Sequence, residues 1–183
     1  MTEFYLELND RVFSALRGRI DIWFFGNDYA MQNGLLFSIE MFEDFFLENI
    51  KKLTALAKSY DLKIMAHSCG AIADLLLLFI EAGIDIIDPV QVTAKGMEPV
   101  VLKKQYGDNI VFHGGIDTQQ ILPHQSATEV YNHAIAIMKT LGTGGGYIFA
   151  PSQILGSDIP EENIAAMYQA VKDFKPVDGI RAN

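Results

Sequence analysis

The sequence has a single cysteine, Cys69, in 183 residues. One thiol cannot build an internal disulfide framework, and so few cysteines fit a reducing compartment. Basic residues are in deficit: 14 Lys and Arg stand against 23 Asp and Glu, for a formal net charge of −9. That balance opposes nonspecific binding to nucleic acid or to an anionic membrane, and no basic patch interleaved with aromatics occurs. Long hydrophobic runs are missing. The longest, Leu75–Ile80 preceded by Ala71–Ala73, is interrupted by Asp74 and stops at Glu81, too short to span a bilayer. The opening residues Met1–Leu8 are acidic and have no signal-peptide character, so the expected location is the cytoplasm. A Gly-x-Gly-x-x-Gly turn after the first strand is absent, as is a phosphate-binding P-loop. Gly142–Gly146 begins like the first of these, but Tyr147 stands where its last glycine belongs, and the segment reads as a flexible turn before a strand.

Half of the residues are hydrophobic and a fifth are charged, the composition of a globular domain with a substantial core. The chain reads as one domain over residues 1–183. Short β-rich runs fall at Ile20–Phe25, Lys63–His67, Ile84–Pro89, Asn109–His113 and Gly146–Pro151, with helical patterns before, between and after them. Glu3–Arg17 opens the chain as a helix. In Met41–Tyr60 the residues Phe42, Phe45, Phe46, Ile50, Leu53 and Leu56 form one apolar stripe at spacings of three and four. Ile72–Ala82 ends at Gly83, Pro99 opens a helix that Gly107 closes, and Ser126 with Glu129 has capping-box spacing. Asp158 and Glu161 repeat that spacing before the last helix. Strands separated by helices run parallel, which leaves two architectures: an open doubly wound sheet, or part of a (βα)8 barrel.

Polar residues cluster at the strand ends: Asn27 and Asp28; His67 and Cys69; Asp88 and Gln91; His113 and Asp117; Ser152 and Gln153. In a parallel sheet these ends share one face, the face on which a barrel carries its active site. The sharpest pair is His67 and Cys69. At i and i+2 of an extended segment they point to one side, and an imidazole beside a thiolate is a starting set of zinc ligands. His124 and His133 read as surface residues, and Trp23 as core.

The segments His67–Gly70, Glu81–Gln91, Ala94–Pro99, Phe112–Gln119 and Gly144–Ser152, in this order, resemble the uroporphyrinogen decarboxylase family, most closely its branch of corrinoid-linked methyltransferases. The resemblance implies a (βα)8 barrel of which this chain holds the last five βα units, about three units short of a whole barrel, which typically needs roughly 250 residues. An incomplete barrel exposes two strand edges, so it implies self-association or a complementary N-terminal half-barrel chain. For the methyltransferase branch it implies zinc on His-x-Cys, matched by His67 and Cys69, with a third ligand at the position of Gln153, and His113 as a substitute ligand. There the metal holds the thiol of an acceptor such as coenzyme M, and the methyl group comes from a corrinoid carried on a partner protein. Relatives acting on methylated small substrates run the transfer toward the corrinoid. Asp28, His113 and Asp117 are the candidate catalytic groups, and Gln32 and Gln91 the candidate cofactor contacts; Tyr29 and Gln32 lie in the loop that meets the substrate. Two alternatives stand beside this: a metal-free porphyrinogen decarboxylase of heme biosynthesis, and an inactive partial barrel or subunit of a split enzyme.

Overall fold

The computed structural model describes residues 1–175. Its frame is a parallel sheet of strands β1 (Ile22–Gly26), β4 (Lys63–His67), β5 (Ile86–Val90), β6 (Val111–Ile116) and β7 (Tyr147–Pro151). Strands β2 (Ala30–Met31) and β3 (Gly34–Leu35) form a small antiparallel hairpin in the loop after β1. Helix α1 (Thr2–Ala15) precedes the sheet. Helices α2 (Ile39–Phe42) and α3 (Glu48–Ser59), α4 (Leu76–Glu81), α5 (Pro99–Tyr106), α6 (Ile121–His124) with α7 (Ala127–Gly142), and α8 (Glu161–Asp173) follow successive strands.

The strand order decides between the two architectures. Each main strand pairs in parallel with the next in sequence, in the order β1-β4-β5-β6-β7. A doubly wound sheet reverses its order at a switch point, where the helices change faces. Without a reversal, right-handed crossovers place every helix on the same side. The result is the winding of a (βα) barrel, here an arc of five strands. Ile64, Ala66, Ile87 and Phe112 point to the helix side and are at most 1% exposed.

The other face is the barrel interior, and the register lines it with Phe24, Met65, Ile86 and Val111 in one row, then Gly26, His67 and Asp88 above it. Apolar side chains on this face stand open: Phe24 is 54% exposed, Ile22 44% and Ile148, beside His113, 38%.

Local expectations hold in most places. Ser126 and Glu129 form a complete capping box, and Gly83 ends its segment at φ 86°. Four readings need correction. The helix from Ile39 to Ser59 contains a widened turn over Glu43–Leu47, which adds a residue to the repeat; Leu47 turns inward and Phe45 is left 64% exposed. The Ile72–Ala82 segment is a tight turn at Ala73–Leu75 followed by α4, and Leu77 faces out. Asp158 does not cap α8, because Pro160 occupies the cap position. His133 is not a surface residue: its Nε2 is buried without a partner, and burial holds its pKa below the usual value.

An apolar sheet face flanked by two strand edges favours association. The purified 20.4 kDa chain is therefore expected to elute above its monomer mass, and Phe24→Ser to shift it toward monomer. A wild-type chain that stays monomeric at high concentration would contradict the open-face description.

Candidate metal and catalytic site

The site lies where β1, β4, β5 and β6 end. Register places Gly26 beside His67 and His67 beside Asp88. Gly26 leaves room for the imidazole: a Cβ there would lie 3.1 Å from His67 Cβ. Between β5 and β6 the register shifts after Ile87. The carboxylate of Asp88 then meets two rings. Its Oδ2 accepts from His67 Nδ1 at 2.6 Å and its Oδ1 from His113 Nδ1 at 2.5 Å.

Beyond β4 the chain turns sharply and is held from several sides. Ser68 points away from the rim and is fully buried; its Oγ accepts from the Tyr29 amide at 3.0 Å. The Cys69 amide donates to Asp28 Oδ1 at 2.9 Å, and the Gly70 amide to Gln91 Oε1 at 2.9 Å. Gly70 has φ 88°, and a Cβ there would lie 2.7 Å from the Met31 carbonyl oxygen, so this turn requires glycine. The β2–β3 hairpin thus packs against the Cys69 loop.

This scaffolding brings three donor atoms together. Cys69 Sγ is 3.3 Å from His67 Nε2, which is 3.7 Å from Asp28 Oδ1, and the ligating atoms of all three residues lie within 4.8 Å of one another. With zinc–nitrogen and zinc–sulfur bonds of about 2.0 and 2.3 Å, a tetrahedral edge is about 3.5 Å. The spacing therefore fits a small tetrahedral cation. The donors fit as well, since thiolate, imidazole and carboxylate are all zinc ligands, and three protein ligands leave a position for substrate. His67 shows the orientation metal-binding histidines need, with Nδ1–H held by a carboxylate and Nε2 free to ligate. A cleft of about 390 Å³ opens beside the cluster, lined by Phe24, Gly26, Asn27, Asp28 and His67. A larger groove of about 540 Å³ runs between α1 and α3 on the helix side, where none of these donor atoms converge.

Charge at the site is negative. Burial pushes the Cys69 thiol above its ordinary pKa, and the Asp28 charge adds to the effect. The hydrogen bond to Asp88 raises the pKa of His67. Burial alone would raise Asp88, but the bonds from His113 and His67 outweigh it and hold the carboxyl at about 2. Burial thus opposes formation of the Cys69 thiolate until a bound cation favours it.

The remaining predicted residues take other places. Gln153 is exposed, and its Nε2 donates to Cys69 Sγ at 2.7 Å, so the β7 loop does reach the sulfur. Gln91 and Gln32 form a relay, Gln91 Nε2 to Gln32 Oε1 at 2.9 Å and Gln32 Nε2 to the Thr93 carbonyl at 2.7 Å, that ties three loops together behind the cluster. Asp117 is 3% exposed and accepts from the amides of Gln119, Gln120 and Ile121, which makes it the anchor of α6, outside the cluster. Tyr29 is buried among Phe37, Phe42, Phe46 and Phe79. The residue that sequence reading undervalued is Asp88, grouped with the polar residues at strand ends but given no role of its own. The available signal was its place at a strand end, level with His67.

A singly wound parallel arc with nitrogen, sulfur and oxygen donors converging at its C-terminal rim defines a (βα)-barrel scaffold with a metal-competent site. The chain belongs to the uroporphyrinogen decarboxylase (URO-D) family, whose profile matches residues 27–174. Uroporphyrinogen decarboxylases from three Coxiella burnetii strains are 28% identical over 72 residues, which is 39% of this chain and 19% of theirs. Among solved structures, a methyltransferase from Methanosarcina mazei superposes with a TM-score of 0.70 at 18% identity, over 94% of this chain and 47% of the other. The chain thus spans about half the length of that protein, and the likeness establishes the shared fold. Among the described residues, no helix is long and apolar enough to cross a membrane.

Asp88 links the site to stability. Its folded pKa is depressed, so it stabilises the fold above the ordinary carboxylate range, and the contribution is lost as pH falls through about 2. The shift corresponds to about 2 kcal/mol, and the raised His67 value reports the same contact from the other side. Asp88→Asn should lower stability at neutral pH by about that amount and flatten the acid limb of a denaturation series; identical acid limbs would refute the assignment.

Proposed function

We propose that this chain is the site-bearing part of a zinc-dependent methyltransferase-like protein, which moves methyl groups between a corrinoid protein and a thiol or methylated small substrate. The observation that carries the reading is the convergence of His67 Nε2, Cys69 Sγ and Asp28 Oδ1, with His67 turned into place by Asp88. Fold likeness to a methyltransferase and the family resemblance of His67-x-Cys69 support it. When bound, zinc would supply the Lewis acidity that keeps an acceptor thiol in its nucleophilic form at neutral pH.

The chain's own residues do the rest. His67, Cys69 and Asp28 hold the ion, and Asp88 fixes the imidazole. Asp28 also orders the loop by accepting the Cys69 amide. Gln153 places an N–H against the sulfur, which lowers the electron density it offers. The open rim admits a small substrate from the cleft and the corrinoid of a partner from above.

A metal-free decarboxylase is the second reading. One contact favours it: the Gln153 amide already satisfies the Cys69 sulfur without a metal. Metal content separates the two. The methyltransferase reading expects about one zinc per chain, lost in Cys69→Ala and His67→Ala at unchanged fold. Gln153→Cys, which supplies a thiolate at the family's third ligand position, should tighten zinc by tenfold or more, on the order of 1.4 kcal/mol. Protein that binds no zinc when offered it, with Gln153→Cys no better, would leave the metal-free reading.

A further inference from the structure

We infer that Gln91 is a positioning residue of the metal site: it fixes the direction from which the Cys69 sulfur meets the cation. The inference rests on the metal reading above and goes beyond it by naming what holds the sulfur donor in place.

The ligand loop is pinned amide by amide. Ser68 N donates to the Asp88 carbonyl at 2.8 Å, Cys69 N to Asp28 Oδ1 at 2.9 Å, Gly70 N to Gln91 Oε1 at 2.9 Å and Ala71 N to the Met31 carbonyl at 2.9 Å. Two of these acceptors are main-chain carbonyls and two are side chains. The Cα of Cys69 stands between the two amides that side chains hold. With both flanking peptides fixed, χ1 is the torsion left to aim Sγ, which lies 3.3 Å from His67 Nε2. Asp28 is itself a candidate ligand, so its carboxylate answers to the cation as well as to the loop. Gln91 faces the Gly70 amide with its oxygen and Gln32 with its nitrogen, so its amide is committed to the protein rather than to the ion.

Main-chain groups set the polarity of this support at both ends. The Gly70 N–H requires an acceptor, which places Gln91 Oε1 against it. Gln91 Nε2 then donates to Gln32 Oε1 at 2.9 Å, and Gln32 Nε2 donates to the Thr93 carbonyl at 2.7 Å. The path needs two side chains that each accept at one end and donate at the other, which a pair of glutamines supplies. Gln91 also starts from a firm base. It follows β5 directly and is 7% exposed, and the carbonyl of Val90 before it accepts from Ser152 Oγ at 2.8 Å. A support carried on a strand end holds a ligand more precisely than a loop holds itself. Removing such a support typically costs about 10- to 100-fold in metal affinity.

Cobalt(II) is the probe, because a cobalt–thiolate bond gives a charge-transfer band that reports the sulfur directly. Wild type titrated with cobalt(II) in zinc-free buffer is expected to develop that band and to saturate at about one ion per chain. Gln91→Met removes both hydrogen bonds at nearly constant volume. It should bind cobalt about 10- to 100-fold more weakly, with a weaker sulfur band per bound ion. Gln32→Met leaves Gln91 without its orienting partner and should fall between Gln91→Met and wild type; it decides the case if Gln91→Met does not fold. Thr54→Val controls for general loss of stability. Thr54 is buried at the opposite end of the strands, where its Oγ1 donates to the Ala82 carbonyl at 2.6 Å, and its replacement should leave the cobalt titration at the wild-type value. A wild-type titration in either glutamine variant, or an equal fall in Thr54→Val, would overturn the role of Gln91 and leave the metal site standing. No sulfur band in wild type would overturn the metal reading, and this assignment with it.

Discussion

The site depends on one carboxylate held between two imidazoles. Asp88 is 14% exposed at its side chain, and a largely desolvated anion is tolerated only when it is well bonded. The two short contacts to His67 and His113 meet that requirement and fix both rings at once. The three residues come from three consecutive strands, so the arrangement needs β4, β5 and β6 in parallel register. The register of Ile86 with Val111 and Ile87 with Phe112, carried one residue on, sets His113 level with Asp88, before it shifts toward Val90. Any change that slides one strand by a residue would turn one ring to the helix side and leave the carboxylate uncompensated.

Much of the fold was legible because its signals are local. Hydrophobic alternation and punctuation by Gly and Pro gave the five main strands within two or three residues, and the Ser126–Glu129 spacing gave a true capping box. Choice between winding schemes was not local. It required the pairing order, which no single segment encodes, and the family resemblance pointed to the barrel before the pairing did. The widened turn at Glu43–Leu47 shows the limit of periodicity: the phenylalanine repeat admits Phe45 to the stripe, while packing against Tyr29 and Phe79 selects Phe42 and Phe46.

Candidate site residues were legible as a set and less so in their roles. His67 and Cys69 could be paired from spacing alone, and the strand-end rule brought Asp28 and Gln153 to the same rim. Roles within the set depend on which oxygens and amides are already engaged. Asp117, Gln91 and Gln32 look like functional polar residues in sequence, yet their hydrogen bonds go to backbone and to each other. Asp88 had no assigned role in sequence because its partners lie 21 and 25 positions away. A carboxylate at a strand end is readable in sequence; the side chains that converge on it are not.

The account therefore turns on whether the rim of this arc holds a cation through a nitrogen and a sulfur from His67 and Cys69 together. X-ray absorption at the zinc edge of the purified, zinc-loaded protein tests that most directly. The account predicts a four-coordinate site with one sulfur at about 2.3 Å and the remaining nitrogen and oxygen ligands near 2.0–2.2 Å. A six-coordinate shell of oxygen alone, with no sulfur, would contradict it.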